Sequence, residues 1–243
     1  MQVDSVIFDL FDTLLLLDSD EAYYQPSLRS LHSFLTANGV DVSFEHFCRL
    51  YFEVRNELYS EARETLDEPH FNLRVSQTLR RLGYDFDSSD STVTGATTAF
   101  GDEFMKYVTL DDQAVEVLEE LHKKYKLGLI SNFAIPECGR KLLDKFGLTR
   151  FFDIVIISGE VNKRKPSPAI FEMALAGLNV KASRAAFVGD MMELDIMGPK
   201  NVGMKTVLIK RRAVSKSFDI KPDAVITSLS ELPAVLHDSN SAR

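Results

Sequence analysis

From residue 109 onward, short apolar runs bounded by polar residues alternate with stretches of helical spacing. That alternation predicts βα units. In DDQAVEVLEELHKKY, starting at Asp111, the residues Ala114, Val117, Leu118 and Leu121 share one helical face, with acids in the first turn and Lys123 and Lys124 in the last. LGLI at 127–130 reads as a buried strand, followed by a helix from Pro136 to Phe146 that Gly147 stops, and then a strand IVII at 154–157. Pro168 through Leu178 carries Ile170, Phe171, Ala174, Leu175 and Leu178 at helical intervals, and AAFV at 185–188 is again strand-like. TVLI at 206–209 and AVI at 224–226 supply further strands, the last leading into a short helix near Leu229–Leu236. With VIF at 6–8, these runs predict an α/β fold: a doubly wound parallel sheet with helices on both faces.

Between Asp18 and Tyr107 the pattern changes to helical periodicity without convincing apolar strand runs. Helices are predicted over 21–37, 44–63, 70–83 and 91–107, punctuated at Asn38-Gly39, Asp67–Pro69 and Gly83. An insertion after the first strand that returns to the same sheet divides the chain into a core of 1–17 and 108–243 and a helical cap of 18–107. The tail HDSNSAR reads as frayed.

Composition narrows the class without changing the architecture. With 45% hydrophobic and 26% charged residues among 243, the chain reads as globular rather than disordered. No apolar run approaches the ~20 residues of a membrane helix, and MQVDSVIF lacks the basic and long apolar stretches of a signal peptide, so no membrane association and a cytoplasmic location are expected. Cys48 and Cys138 are far apart and suggest neither a disulfide framework nor a thiolate zinc site; both read as small apolar residues. A formal charge of −8 opposes attraction to a nucleic-acid backbone, so no nucleic-acid partner is expected. The five histidines do not cluster at ligand spacing.

Ligands of open α/β sheets bind at the carboxyl ends of the strands. There the sequence places Asp9 after VIF, Ser131-Asn132 after LGLI, Ser158 after IVII and Gly189-Asp190 after AAFV, with Lys165 a few residues past Ser158. One strand-end aspartate reads best as a turn or cap residue. Two aspartates, a serine and a lysine on one edge make a site with a metal-binding pole and a cationic pole, suited to an anionic substrate.

FDLFDTL (8–14), ISN (130–132), KRKPSPAIF (163–171) and VGDMMELDIMGPKNVGM (188–204) resemble, in order and spacing, the four motifs of the haloacid-dehalogenase superfamily, and the helical insertion sits where that superfamily places its C1-type cap. The resemblance implies a Rossmann-like core and a hydrolase. It implies Asp9 as nucleophile, Ser131 as a hydrogen-bond donor to the transferring group, Lys165 as the cation that steadies nucleophile and leaving charge, and Mg²⁺ on Asp9, Asp190, Asp195 and the Phe11 carbonyl. Thr13 and Asn132 are expected on the substrate side. The implied reaction is hydrolysis of a small phosphomonoester through an aspartyl-phosphate, by a monomer or homodimer.

The sequence departs from the phosphatase pattern D-x-D-x-T at one position, reading Asp9-Leu10-Phe11-Asp12-Thr13. Phe11 cannot move a proton, and Asp12 reads as a turn or capping residue. Members that release halide resemble this chain in carrying an aromatic residue there, and they use no metal; they generally lack the Gly-Asp that Gly189-Asp190 supplies. A metal-independent 2-haloacid dehalogenase acting on a halogenated small molecule is therefore the alternative, and a low-turnover binding or regulatory protein is a third. In the cap, Arg55, Arg63 and Arg74 read as solvated helix residues, and the cap aromatics Tyr23, Tyr24, Phe44, Phe47, Tyr51 and Phe52 as packing groups. Lys210-Arg211-Arg212 reads as an exposed loop.

Overall fold

The structure is a computed structural model that describes residues 1–17, 20–211 and 219–237. Asp18, Arg212 and the tail from Asp238 lie outside the described residues. Six parallel strands form the central sheet: β1 (Ser5–Phe8), β4 (Lys126–Ser131), β5 (Ile154–Ile157), β6 (Ala185–Gly189), β7 (Lys205–Ile209) and β8 (Ala224–Ile226). Their order is β5-β4-β1-β6-β7-β8, so the chain switches direction of sheet growth at β1. The crevice above β1 is the ligand position in such a sheet.

Alternation along the strands sends successive side chains to opposite faces, and both faces are apolar. Val6, Phe8, Leu127, Leu129 and Val188 join one core cluster, while Ile7, Ile130, Ile156 and Phe187 join the other with Ile170, Phe171 and Ala174. Helices α5 (Ala114–Leu121), α6 (Pro136–Lys145), α7 (Ser158–Val161), α8 (Pro168–Leu178), α9 (Gly198–Asn201) and α10 (Leu232–His237) complete the layers. The predicted helix from Asp111 is shorter at both ends. Asp111 Oδ1 accepts from the Gln113 N–H at 2.9 Å and holds a turn, and Lys123 and Lys124 follow the helix.

The regular elements of the insertion are helices among the described residues: α1 (Asp20–Ala37), α2 (Phe44–Thr65), α3 (Phe71–Arg81) and α4 (Ser91–Phe104), followed by a 3-10 turn over Met105–Tyr107. Ser43 caps α2 by accepting from the His46 N–H at 3.3 Å, and Asp90 caps α4 by accepting from Thr92 at 2.7 Å. The sequence pattern carries no sign of the stem that joins this cap to the core. β2 (Leu15–Leu17) and β3 (Val108–Leu110) pair antiparallel with Leu15 opposite Leu110. Three-residue strands whose partners lie some ninety positions away leave no local periodic signal.

Arg211 ties this stem down. Its Nη2 donates to the Thr13 carbonyl at 3.1 Å and to Asp111 at 2.5 Å, so it is a structural tie rather than part of a solvated loop. No helix among the described residues is long and apolar enough to cross a membrane. Cys138 is buried, and burial pushes its thiol up to about 12; Cys48 is half-buried.

Candidate functional site

Asp9 directly follows the central strand β1 and is buried, its side chain 11% exposed. Thr13, in the turn that follows, is fully buried and donates to Asp9 Oδ2 at 3.2 Å. Thr13 was expected to face the substrate; its position instead makes it a support for the Asp9 carboxylate. Asp12 adopts the left-handed conformation (φ 55°), donates its N–H to the Leu15 carbonyl at 2.6 Å and accepts from the Leu17 N–H at 3.4 Å. It is a turn residue, which asparagine and aspartate tolerate best among residues with a β-carbon.

Lys165 lies between Asp9 and Asp195, 1% exposed, with Nζ 2.6 Å from Asp9 Oδ1 and 2.7 Å from Asp195 Oδ1. Burial opposes its charge, and the two carboxylates outweigh burial, so the ammonium is held above the ordinary lysine range. Burial raises the Asp9 carboxyl, from 3.8 to about 6, with Lys165 pulling it back and Asp195 adding to the rise. Asn132 holds the lysine's backbone from both sides: Nδ2 donates to the Lys165 carbonyl at 3.0 Å and Oδ1 accepts from the Lys165 N–H at 2.8 Å. That clamp orients Lys165, a role the strand-end position of Asn132 did not reveal.

Past β6 the chain makes one π-helical turn over Met192–Met197, which returns Asp195 beneath the strand end. Asp195 Oδ2 accepts from the Met191 N–H at 2.9 Å, and a Cβ on Gly189 would stand 2.5 Å from the Asp195 carboxyl carbon. Only glycine fits at 189 for this reason. One carboxylate oxygen from each of Asp9, Asp190 and Asp195 lies within 4.8 Å of the other two, a spacing an oxygen-coordinated divalent cation can bridge. In the turn after β1, Leu10 accepts from Leu14 and Leu15 and Leu15 accepts from Asp12, so these bonds leave the Phe11 carbonyl available. The donor set is carboxylate and carbonyl oxygen, which fits a hard cation.

At the end of β4, Ser131 is 1% exposed and its hydroxyl has no hydrogen-bond partner among the described residues. A buried, unsatisfied donor at a strand end is a place where a ligand oxygen is accommodated. Phe11 is not aimed at a proton-transfer role: its ring packs edge-on against Phe104 and Phe133, at 5.8 and 5.1 Å between centroids.

A cavity of about 270 Å³ opens between core and cap, with Phe11, Asn132 and Arg164 on its floor and Tyr59, Phe71 and Arg74 on its cap side. Cap and core are joined around it. The Phe71 N–H donates to the Ala134 carbonyl at 2.8 Å, the Arg164 N–H to Leu66 at 3.0 Å, and His70 pairs with Glu137 at 2.9 Å. Arg55 stands over the Phe52 ring at 4.7 Å and Arg63 is exposed, whereas Arg74 is buried, contrary to its reading as a solvated helix residue.

Residues 6–209 match the family model described as haloacid dehalogenase-like hydrolase. The chain is 30% identical over 228 residues to a glyceraldehyde 3-phosphate phosphatase of Methanopyrus kandleri, covering 90% of this chain and 88% of the relative. It is also 30% identical to the enzyme of that name from Pyrococcus furiosus, covering 99% and 96%. Among solved structures, a 2-haloacid dehalogenase from Pseudomonas syringae pv. Tomato DC3000 superposes with a TM-score of 0.69 at 29% identity, covering 96% of this chain and 98% of that one. With the motifs in order on the strand ends of such a core, the chain belongs to the haloacid dehalogenase-like hydrolase family.

Proposed function

We propose that this protein is a Mg²⁺-dependent hydrolase of a small phosphomonoester, acting through a covalent aspartyl-phosphate on Asp9. The observation that carries this reading is the acidic cluster of Asp9, Asp190 and Asp195, two of whose carboxylates, Asp9 and Asp195, pair with the Lys165 ammonium. A halide-releasing reaction has no use for such a cluster. A dianionic phosphate approaching an aspartate does, because a bound cation offsets the repulsion. The naming of the Methanopyrus and Pyrococcus relatives as phosphatases supports the same reading.

Asp9 attacks phosphorus, the bond to the leaving oxygen breaks, and an acyl-phosphate forms; water then attacks phosphorus and restores the carboxylate. Lys165 holds Asp9 ionised and in place, Thr13 fixes its second oxygen, and the Ser131 hydroxyl donates to a phosphoryl oxygen. Asp9, Asp190, Asp195 and the Phe11 carbonyl would hold the cation, which neutralises charge on the transferring group. Phe11 supplies no proton to the leaving oxygen, so water must do so, which favours substrates with good leaving groups. We assign 1–17 and 108–243 to the core, 18–107 to the cap, and a cytoplasmic monomer or homodimer to the working form.

Phosphate release from a panel of phosphomonoesters, assayed with Mg²⁺ and again with EDTA, tests the reading. Release that stops in EDTA and returns with Mg²⁺ is expected; release unaffected by chelation overturns it. Phe11→Asp should raise turnover of alkyl phosphates by about ten-fold or more and change that of p-nitrophenyl phosphate little, because proton donation matters only for a poor leaving group. An unchanged rate on both would show that this position does not limit the reaction.

A second reading, metal-independent 2-haloacid dehalogenation, is favoured by the Phe11–Phe104–Phe133 aromatic cluster, an apolar surround suited to a halogenated carbon. Chloride release from 2-chloropropionate in EDTA would support it, and none under any condition would exclude it.

A further inference from the structure

Arg74 is a buried cation for which the protein supplies too few partners. It lies on the packed face of α3 with Phe71, Val75 and Thr78, and is 7% exposed. Of its five N–H donors, Nη1 donates to the Tyr51 hydroxyl at 3.2 Å, while Nε is buried with no hydrogen-bond partner among the described residues. The guanidinium carbon stands 5.0 Å from the ring centres of Tyr59 and Phe71 and 5.8 Å from that of Tyr51. These π faces favour a cation but do not neutralise it.

The acid nearest it is shared with a second guanidinium: burial raises the Glu68 carboxyl, and Arg164 and then Arg74 oppose that rise. Glu68 is buried in the same wall, with Oε2 3.3 Å from Arg164 Nε. No carboxylate lies within 4.0 Å of the Arg74 nitrogens among the described residues. Guanidinium stays protonated at any physiological pH, and a buried charge with no counter-charge in contact is costly. A fold keeps such a group where a ligand completes it.

The cavity that Arg74 lines leads to the strand-end site. Its floor carries Phe11, Asn132 and Arg164, each next to or two positions from Asp9, Ser131 or Lys165. Its wall between floor and Arg74 is aromatic, including Phe104, Phe71 and Tyr59. A molecule with its phosphate at Asp9 therefore lays an apolar or planar body along these rings and presents its far end to Arg74.

We propose that Arg74 anchors the substrate and that the substrate is a phosphomonoester carrying a carboxylate at the end remote from the phosphate. This rests on the phosphohydrolase reading above and names its substrate class. A carboxylate matches the guanidinium fork and can take the unused donors bidentately. A second phosphate fits less well, because Glu68 in the same wall opposes a dianion.

The test compares 4-carboxybenzyl phosphate with benzyl phosphate, two substrates of similar leaving-group strength. The wild-type chain should favour the carboxylate by ten-fold or more in kcat/KM, expressed chiefly in KM. Arg74→Gln should bring the ratio of the two to about 1, and Arg74→Lys should retain part of the preference, since the charge remains while the fork is lost. No wild-type preference, or one unchanged in Arg74→Gln, overturns the proposal. A readout independent of turnover is binding of the corresponding benzylphosphonates to the wild-type chain, followed by calorimetry and by melting temperature, which also stands if the variants fail to fold. Ten-fold tighter binding of the carboxylated phosphonate without hydrolysis of either ester would sink the phosphatase reading and keep Arg74 as a carboxylate anchor. Hydrolysis of both esters with equal binding of both phosphonates would do the reverse.

Discussion

Asp9→Asn should lower phosphate release by on the order of 10⁴-fold or more, since the amide cannot form the covalent intermediate. The same substitution should make the metal-free protein more stable near neutral pH. Asp9 is buried at the end of β1, and its carboxyl titrates at about 6 against 3.8 for the unperturbed group. Between those two values the folded chain holds a proton that the unfolded chain has lost. Stability therefore falls as pH rises through that window, and above it the buried charge costs up to about 3 kcal/mol. Asparagine carries no such charge and leaves Lys165 paired with Asp195, so a gain of about 1–3 kcal/mol is expected at pH 7.5 in EDTA. The parent should lose stability between pH 4 and pH 6.5 relative to the variant. Urea unfolding of both proteins at several pH values measures this. A less stable variant at pH 7.5 would mean that the Asp9–Lys165 pair outweighs the burial cost, and persisting turnover would refute the covalent mechanism.

Lys165→Met should have the opposite effect on stability. The ammonium is the countercharge shared by Asp9 and Asp195, and its removal leaves two buried carboxylates facing one another. Breaking a buried pair from one side typically costs about 3–5 kcal/mol. That loss should appear in EDTA at pH 7.5 and shrink at lower pH, where Asp9 takes up a proton. Mg²⁺ should restore part of it, as a cation then occupies the same field. Turnover should fall by on the order of 10²–10³-fold even at saturating Mg²⁺, because the fixed positive charge beside the Asp9 carboxylate is gone. A variant as stable as the parent at neutral pH would argue that the carboxylates are already neutralised by other means.

The two variants separate the functions combined at one place in the fold. Asp9 is a charge the fold tolerates at a cost, and Lys165 is the group that makes it tolerable. Active sites commonly hold such unfavourable charges for the sake of chemistry.

Much of the core was legible because its local signals coincide with its tertiary arrangement. Strands such as β4, β6 and β7 are apolar runs buried on both faces, and helix α8 spans the residues its periodicity predicts, from Pro168 to Leu178. Where a side chain's hydrogen bonding competed with periodicity, the prediction overran: Asp111 forms a turn, so α5 starts at Ala114. The β2–β3 stem was missed because its two short strands are stabilised by one another across the whole cap. Arg74 was misread because cap arginines are usually solvated. The available signal was its place on the same helical face as Phe71, Val75 and Thr78, which are all buried.

At the site, the sequence alone determined which chemical groups stand at the strand ends, because a strand followed by a polar residue puts that residue on the sheet's carboxyl edge whatever the rest of the chain does. It thus supplied Asp9, Ser131 and Asp190 and showed that position 11 is phenylalanine, whereas Lys165 lies several residues past a strand end and Asp195 entered through the resemblance of the fourth motif. Tertiary structure decided what those groups do to one another. Only strand order sets β1 between β4 and β6, only the π-helical turn over Gly189 brings Asp195 to Lys165, and only the packing of α3 over the core buries Arg74 beside the cavity. Distances of a few ångströms between residues far apart in sequence fix charge, burial and protonation, and those distances come from packing rather than from local pattern.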